Sequence, residues 1–265
     1  MYAFKYQKAV SIDAAAASLA AAPQAKLMAG GQSLIAAMKL RLADVGQIID
    51  LGAIQGLSGV EVKSNTVTIG AMTRHAEVAA SAEVRSAIPA LATLAGGIAD
   101  RMVRNMGTIG GSVANNDPAA DYPAGLLALG ATVVTNRRRI LADDFFTGMF
   151  ETALQPGEIV TSVSFPVPTR AAYMKFKNPA SRYAIVGVFV ADFDGRVRVA
   201  VTGAGPAVFR VPQMELALSA DFLPAAIADV KVPAEGLNSD IHAQADYRAH
   251  LITVMAMRAV EAALK

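Results

Sequence analysis

The chain has 265 residues, with 24 Lys and Arg against 22 Asp and Glu, a net charge of +2, and neither cysteine nor tryptophan. This length suits one large or two modest domains. Without cysteine the chain can hold no disulfide, Cys-ligated zinc, iron–sulfur cluster or cysteine nucleophile of its own. A charge excess of two is too small for the long positive face that a phosphate backbone requires, so no nucleic-acid partner is expected.

Hydrophobic residues make up 54% of the chain and mean hydropathy is +0.39, so a membrane protein has to be considered. The longest stretch free of charge and histidine, Tyr122 to Asn136, is 15 residues long and contains Pro123, whereas a spanning helix needs about 20 apolar residues. The N-terminus carries Asp13 inside its alanine-rich part and lacks the unbroken apolar run of a secretory signal. A cytoplasmic protein with no membrane span is expected. With 17% charged residues, part of its surface is expected to be covered by partner chains.

In chain order, Tyr2–Tyr6 reads as a short strand, and the capping-type residues Ser11 and Asp13 lead into an alanine-rich helix that ends before Pro23. Lys26–Ala29 is a strand candidate broken by Gly30-Gly31. From Ser33 to Leu42 the residues Leu34, Met38 and Leu42 recur every four positions, the spacing of one helix face. Gln47–Leu51 reads as a further strand. Leu57–Val62 and Thr66–Ile69 alternate around Ser64-Asn65, the pattern of a hairpin. Glu77–Ala99 is helical in composition with an interruption at Pro89. A second loop follows, Asn105-Met106-Gly107-Thr108-Ile109-Gly110-Gly111-Ser112. Ala131–Thr135 and Ile140–Leu141 flank Asn136-Arg137-Arg138-Arg139, a hairpin tip expected to face solvent. Beyond Thr161 strands dominate, at Val163–Val167, Tyr173–Lys177, Ala184–Phe193 and Val197–Thr202, with Asp194-Gly195 as a turn. Pro166-Val167-Pro168 marks the expected start of another domain, and a helix from about Ala245 to Leu264 ends the chain.

The glycine pairs are the most informative features, because glycine lets backbone N–H groups approach a ligand closely. Gly30-Gly31, with Gln32 and Ser33 at a helix start, offers convergent donors and a hydroxyl at the positive end of a helix dipole. Two such loops could close on the two halves of one pyrophosphate. Neither fits the dinucleotide or P-loop fingerprints. Gly203-Ala204-Gly205-Pro206 fails as a Rossmann turn, because Pro206 removes a donor N–H and no helical pattern follows. No G-x-S-x-G elbow occurs, and His75, His242 and His250 are scattered, so neither a hydrolase triad nor a metal site is expected. His75 is expected near a helix start or at the surface. Asp117 and Asp121 follow the second loop. Either could cap the next helix, and Asp121 could instead accept hydrogen bonds from ligand hydroxyls.

The ordered motifs Ala29-Gly30-Gly31-Gln32-Ser33-Leu34, Thr108-Ile109-Gly110-Gly111-Ser112-Val113-Ala114-Asn115 and Asp117-Pro118-Ala119-Ala120-Asp121 resemble those of the FAD-binding medium subunit of the molybdenum hydroxylases, the xanthine dehydrogenase and carbon monoxide dehydrogenase family. The resemblance runs through Lys175-Phe176-Lys177 and Gly203-Ala204-Gly205-Pro206 to Tyr247-Arg248-Ala249-His250-Leu251. It implies an α+β fold: a PCMH-type, vanillyl-alcohol-oxidase-like FAD-binding domain of two α+β subdomains, residues 1–55 and 56–167, followed by a C-terminal α+β flavoprotein domain, residues 168–265. By the same resemblance FAD is bound by Leu27, Met28, Ala29, Gly30, Gly31, Gln32, Ser33 and Leu34, and by Thr108, Ile109, Gly110, Gly111 and Ser112, with backbone N–H groups on the pyrophosphate. Asp121, Ile98, Val160, Lys177 and Tyr183 are the further contacts it implies, Tyr183 toward the isoalloxazine. Ser112 stands where many members carry Asn, and Ile98 where the eukaryotic enzymes carry an aromatic residue. Members with an extra cysteine-bound cluster, such as the 4-hydroxybenzoyl-CoA reductases, are excluded by the absence of cysteine.

The implied partners are a large subunit carrying molybdopterin and a small subunit carrying 2Fe–2S clusters, assembled as a dimer of heterotrimers. The chain would take electrons from those clusters and pass them to a terminal acceptor, with no catalytic side chain of its own. Two other readings remain open from the sequence: a free-standing FAD-dependent oxidoreductase of the same fold, and a non-catalytic interaction module. The substrate, whether carbon monoxide, a purine, an aldehyde or an N-heterocycle, is not written in this chain.

Overall fold

The computed structural model describes all 265 residues. It begins with β1 (Lys5–Lys8), α1 (Ile12–Ala21), β2 (Ala25–Met28), α2 (Leu34–Lys39) and β3 (Gln47–Asp50), the strands forming a parallel sheet in the order β1-β3-β2. The Ser11 hydroxyl caps α1 by accepting the Ala14 N–H at 3.1 Å, one of the donors that a helix start leaves unpaired. The first strand lies three residues later than its local pattern suggests, because its register is set by pairing Lys5–Lys8 with Gln47–Asp50. α2 stops at Lys39. Arg41 adopts a left-handed φ of 58°, which leaves Leu42 exposed while Met38 packs with Val45 and Ile48.

β4 (Val60–Lys63) and β5 (Thr66–Gly70) form the expected hairpin. Ser64 and Asn65 have φ of 48° and 60°, the pair of left-handed residues that matches the strand twist. Six short helices follow: α3 (His75–Ala80), α4 (Ala82–Ala87), α5 (Pro89–Gly96), α6 (Arg101–Met106), α7 (Ile109–Asn115) and α8 (Tyr122–Ala128). The segment read as one interrupted helix is therefore three. Ser81 starts α4 by accepting from Val84 N, and Pro89 opens α5 at its first position, where no N–H is needed. β6 (Thr132–Thr135), β7 (Arg139–Leu141), α9 (Ala142–Phe145), β8 (Phe146–Gly148), β9 (Glu151–Thr152) and β10 (Val160–Pro166) complete this part. β10 inserts at the centre of an antiparallel sheet ordered β4-β5-β10-β6-β7. The arginine tip is exposed as expected, with Arg138 paired to Glu158 at 2.9 Å.

The last sheet is the meander β11 (Arg170–Lys177), β12 (Ala184–Phe193), β13 (Arg196–Thr202) and β14 (Phe209–Arg210), followed by α10 (Pro212–Ala220) and α11 (Ala245–Ala263). Along β12, Val186, Val188 and Val190 pack with Ile252, Met255 and Ala259 of α11. The alternate residues Phe189 and Ala191 join Leu91, Leu94, Leu126 and Phe165 in the largest core. Burial on both faces is why β12 reads as an unbroken apolar run. Each fully buried Leu or Phe contributes about 1.5–3 kcal/mol, so the largest core binds the last sheet to what precedes it, while the other core binds it to the helices that follow. Arg198 adds a polar tie, donating to both oxygens of Asp143 at 2.7 and 2.8 Å. No helix is long and apolar enough to cross a membrane.

Candidate functional site

β2 delivers the chain into the first glycine loop, where Gly31 takes a φ of 71° before α2 begins. The backbone N–H groups of Gly30, Gly31, Gln32, Ser33 and Leu34 donate to no acceptor in the chain, and the Ser33 hydroxyl makes no cap bond. The Gln32 side chain braces the turn by donating to Gly30 O at 3.2 Å. Five consecutive free donors at a helix start form a concavity suited to an anion.

The second loop is built differently. Thr108 is the cap of α7, its Oγ1 accepting from Gly111 N at 3.2 Å. Ile109 N donates to Thr73 O, Gly110 N to Ala71 O at 2.8 Å, and Ser112 N to Thr108 O. The Gly110-Gly111 pair thus lies inside the first helical turn with its donors already used, not in a loop of free N–H groups. Its lack of side chains serves packing: a Cβ on Gly110 would stand 2.5 Å from the Ala71 Cβ. The groups left for a ligand here are the Thr108 N–H and the Thr108 and Ser112 hydroxyls.

These two loops, far apart in sequence, are in contact. A Cβ on Gly30 would stand 2.1 Å from Met106 O, and one on Gly111 would stand 3.4 Å from the Ala29 Cβ. The backbones approach as closely as glycine permits. Ala71 N donates to Thr161 O, which fixes buried Val160 behind the same junction.

On the C-terminal side of the junction, Asp121 is 5% exposed and accepts from the Tyr173 hydroxyl and from Lys175 Nζ, the latter at 3.0 Å. Burial pushes its carboxyl above the ordinary range, against the opposing pull of Lys175 and Tyr173. Asp121 is a buried carboxylate braced by the last sheet; it stands at the N-cap position of α8, as one of its two sequence readings has it, but its side chain makes no cap hydrogen bond. Beside it a cleft of about 330 Å³ is lined by Asp117, Phe150, Asn178, Tyr183, Asp240 and Arg248 among others. Tyr183 is 45% exposed at this cleft. Burial and the carboxylates of Asp117 and Asp121 raise its hydroxyl above the usual tyrosine range, so it stays a donor. Ile98 is half-buried and Lys177 exposed.

A family model described as the FAD binding domain in molybdopterin dehydrogenase matches residues 2–168. The chain belongs to this family of FAD-binding subunits. It is 36% identical, over 97% of its length and 96% of the relative's, to the nicotine 6-hydroxylase medium subunit of Paenarthrobacter nicotinovorans. Among solved structures it matches carbon monoxide dehydrogenase from Hydrogenophaga pseudoflava with a TM-score of 0.88 and 33% identity, covering 99% of this chain and 98% of that one. Quinoline 2-oxidoreductase from Pseudomonas putida 86 gives a TM-score of 0.89 at 28% identity, covering 99% and 97%. The flavoprotein subunit is thus one component of the molybdenum hydroxylase family, and its α+β fold is that of the carbon monoxide dehydrogenase chain.

The residues fit FAD, since a dinucleotide's diphosphate is the kind of anion that five free N–H groups can receive. Three features of the flavoprotein subunit's site escaped the sequence. His75 is 5% exposed, with its N–H donating to Gly107 O and its ring 5.4 Å from that of Tyr122. Burial and the charge of Arg104 lower its pKa to about 4, so it is neutral at pH 7. Tyr173 and Lys175 grip Asp121 from β11. Their i, i+2 spacing puts both on one strand face, but only the tertiary fold shows what that face meets.

Proposed function

We propose that the flavoprotein subunit seats the FAD diphosphate on the backbone N–H groups of Leu27–Leu34, with the donors from Gly30 to Leu34 doing most of the binding. The Thr108 N–H and hydroxyl and the Ser112 hydroxyl close the other side, while Ile109, Gly110 and Gly111 let the second loop lie against the first. Ile98 and Tyr183 stand toward the ring, Asp121 and Val160 support it, and Lys177 faces it from the end of β11. Residues 1–55 and 56–167 act as the two halves of the cofactor domain, and residues 168–265 as the domain that bears Tyr183.

When bound, the isoalloxazine accepts electrons singly and releases them in pairs, linking one-electron carriers to a two-electron acceptor. The chain's own residues bind, orient and partly cover it, and none is assigned to proton transfer. In this reading the electrons come from 2Fe–2S clusters of a small subunit. A large molybdopterin subunit oxidises the substrate, and the complex is a dimer of heterotrimers in the cytoplasm. The observation that carries the proposal is the run of five free N–H groups packed against the second loop. Co-purification should recover the chain with two companions, one carrying iron and one carrying molybdenum, and one FAD per chain. A chain isolated alone, or FAD retained in equal amount after Ser33 and Thr108 are both changed to Val, would refute it.

A further inference from the structure

The segment that carries Ile98 and the turn that carries Tyr183 come from different parts of the chain, and one ammonium group holds both. Lys175 has a side chain only 8% exposed. An ammonium has three donors. Lys175 gives one to Gly97 O at 2.9 Å, one to Arg182 O at 3.0 Å and one to the Asp121 carboxylate at 3.0 Å. No donor is left over, and the three acceptors lie on three separate segments.

Two of those segments hold strained backbone. Ala99 has a φ of 41° and Arg182 a φ of 64°, left-handed values that a residue with a side chain keeps only where its surroundings impose them. Further cations impose the first: Arg104 Nη1 donates to Ile98 O at 2.7 Å and Ala99 O at 2.8 Å, and Arg182 Nη1 to Ala99 O at 3.3 Å. Every carbonyl from Gly97 to Ala99 is thus capped by a positive side chain. The second is closed by Asn178 N donating to Tyr183 O at 2.8 Å.

We infer that Lys175 is a positioning residue of the flavin site: it locks the Gly97–Ala99 segment and the Asn178–Tyr183 turn together around Asp121, and so sets where Ile98 and Tyr183 stand against the cofactor. This rests on the site reading above. A merely structural lysine would neutralise Asp121 and nothing more. A positioning lysine also fixes two strained segments whose side chains meet the ligand.

The test uses the full chain with Lys175→Met and Lys175→Arg, followed by amide hydrogen exchange without FAD and by FAD titration. In Lys175→Met, exchange at 97–100 and at 179–184 should accelerate while β12 and β13 stay protected, the FAD dissociation constant should rise at least tenfold, and bound-flavin fluorescence should recover as Tyr183 loses its place. Lys175→Arg, which keeps the charge, should restore part of each. Wild-type exchange at both segments in Lys175→Met, or an unchanged dissociation constant and fluorescence, would overturn the inference. Should Lys175→Met fail to fold, Lys175→Gln, whose amide has two donors for the three acceptors, should accelerate exchange at both segments to a lesser degree, and unchanged exchange at 97–100 and 179–184 would overturn it equally. Wild-type chain that binds no FAD would sink the site reading instead, while the exchange data still decide what Lys175 does.

Discussion

Replacing Gly30 with alanine puts one methyl group into the junction of the two loops. Its Cβ would stand 2.1 Å from Met106 O and 2.7 Å from the Gly107 Cα, against a limit of 3.0 Å that real Cβ atoms essentially never breach. The backbones must part by about 1 Å, and no side-chain rotation can relieve the contact because both clashing atoms are main chain. Overpacking of this kind costs about 1–3 kcal/mol. If the cofactor site exists only with the loops in contact, that cost appears in FAD affinity as a loss of about 5- to 140-fold, at 1.4 kcal/mol per factor of ten. The assay is titration of the apo chain with FAD, read by flavin fluorescence, alongside a thermal melt. Gly56→Ala is the control: its φ of 80° disfavours a side chain, but nothing lies within 4 Å, so it should cost about 1 kcal/mol of stability and leave FAD affinity alone. A Gly30→Ala chain that melts normally and binds FAD within twofold of wild type would refute the idea that the two loops form one site.

Two further outcomes are expected. Glu158 accepts from Arg138, Thr135 and Gln155 N, and Arg138 above all holds its pKa at about 2, below the ordinary 4.5. A depressed carboxylate stabilises the fold above its unfolded pKa and loses that contribution as pH falls from about 4.5 toward 2. Because Arg138 is 45% exposed, solvent screening reduces the contribution to about 1–2 kcal/mol, so Glu158→Gln should lower stability by that amount at pH 7, with the gap to wild type closing below pH 4. Melting curves across pH would expose an error if the gap stayed constant. Thr108→Val removes the α7 cap and should cost about 1 kcal/mol while also weakening FAD, and a chain that loses stability but keeps full affinity would free the Thr108 hydroxyl from any part in binding.

Where structure was decided locally, the sequence was legible. Ser64-Asn65 and Asp194-Gly195 are turns because their residue types tolerate left-handed backbone, and all four adopt it. The last helix falls within a residue of its expected limits, since Gln244 and Leu264 bound an amphipathic run. The first glycine loop lies between β2 and α2 as read. Distant partners decided the rest. β1 is placed by β3, the breaks at Ser81 and Ile88 by the packing of three short helices, and the second glycine pair by Ala71 and Thr108, which take the N–H groups of Gly110 and Gly111. His75 carries no sign in its neighbours that it will be buried under Gly107. The sequence left Asp121 open between helix cap and ligand acceptor because Tyr173 and Lys175, more than fifty positions later, are invisible from its own segment.

The proline-flanked segment at Pro166-Val167-Pro168 has the composition of a linker, yet Tyr173, Phe189 and Ala200 beyond it interleave with Leu91, Leu94 and Leu126 before it. It is a corner, not a joint. Swinging the tail outward would strip oil from both sides of the seam, so the part after the corner is held to the part before it as one body rather than as two leaves of a clamshell.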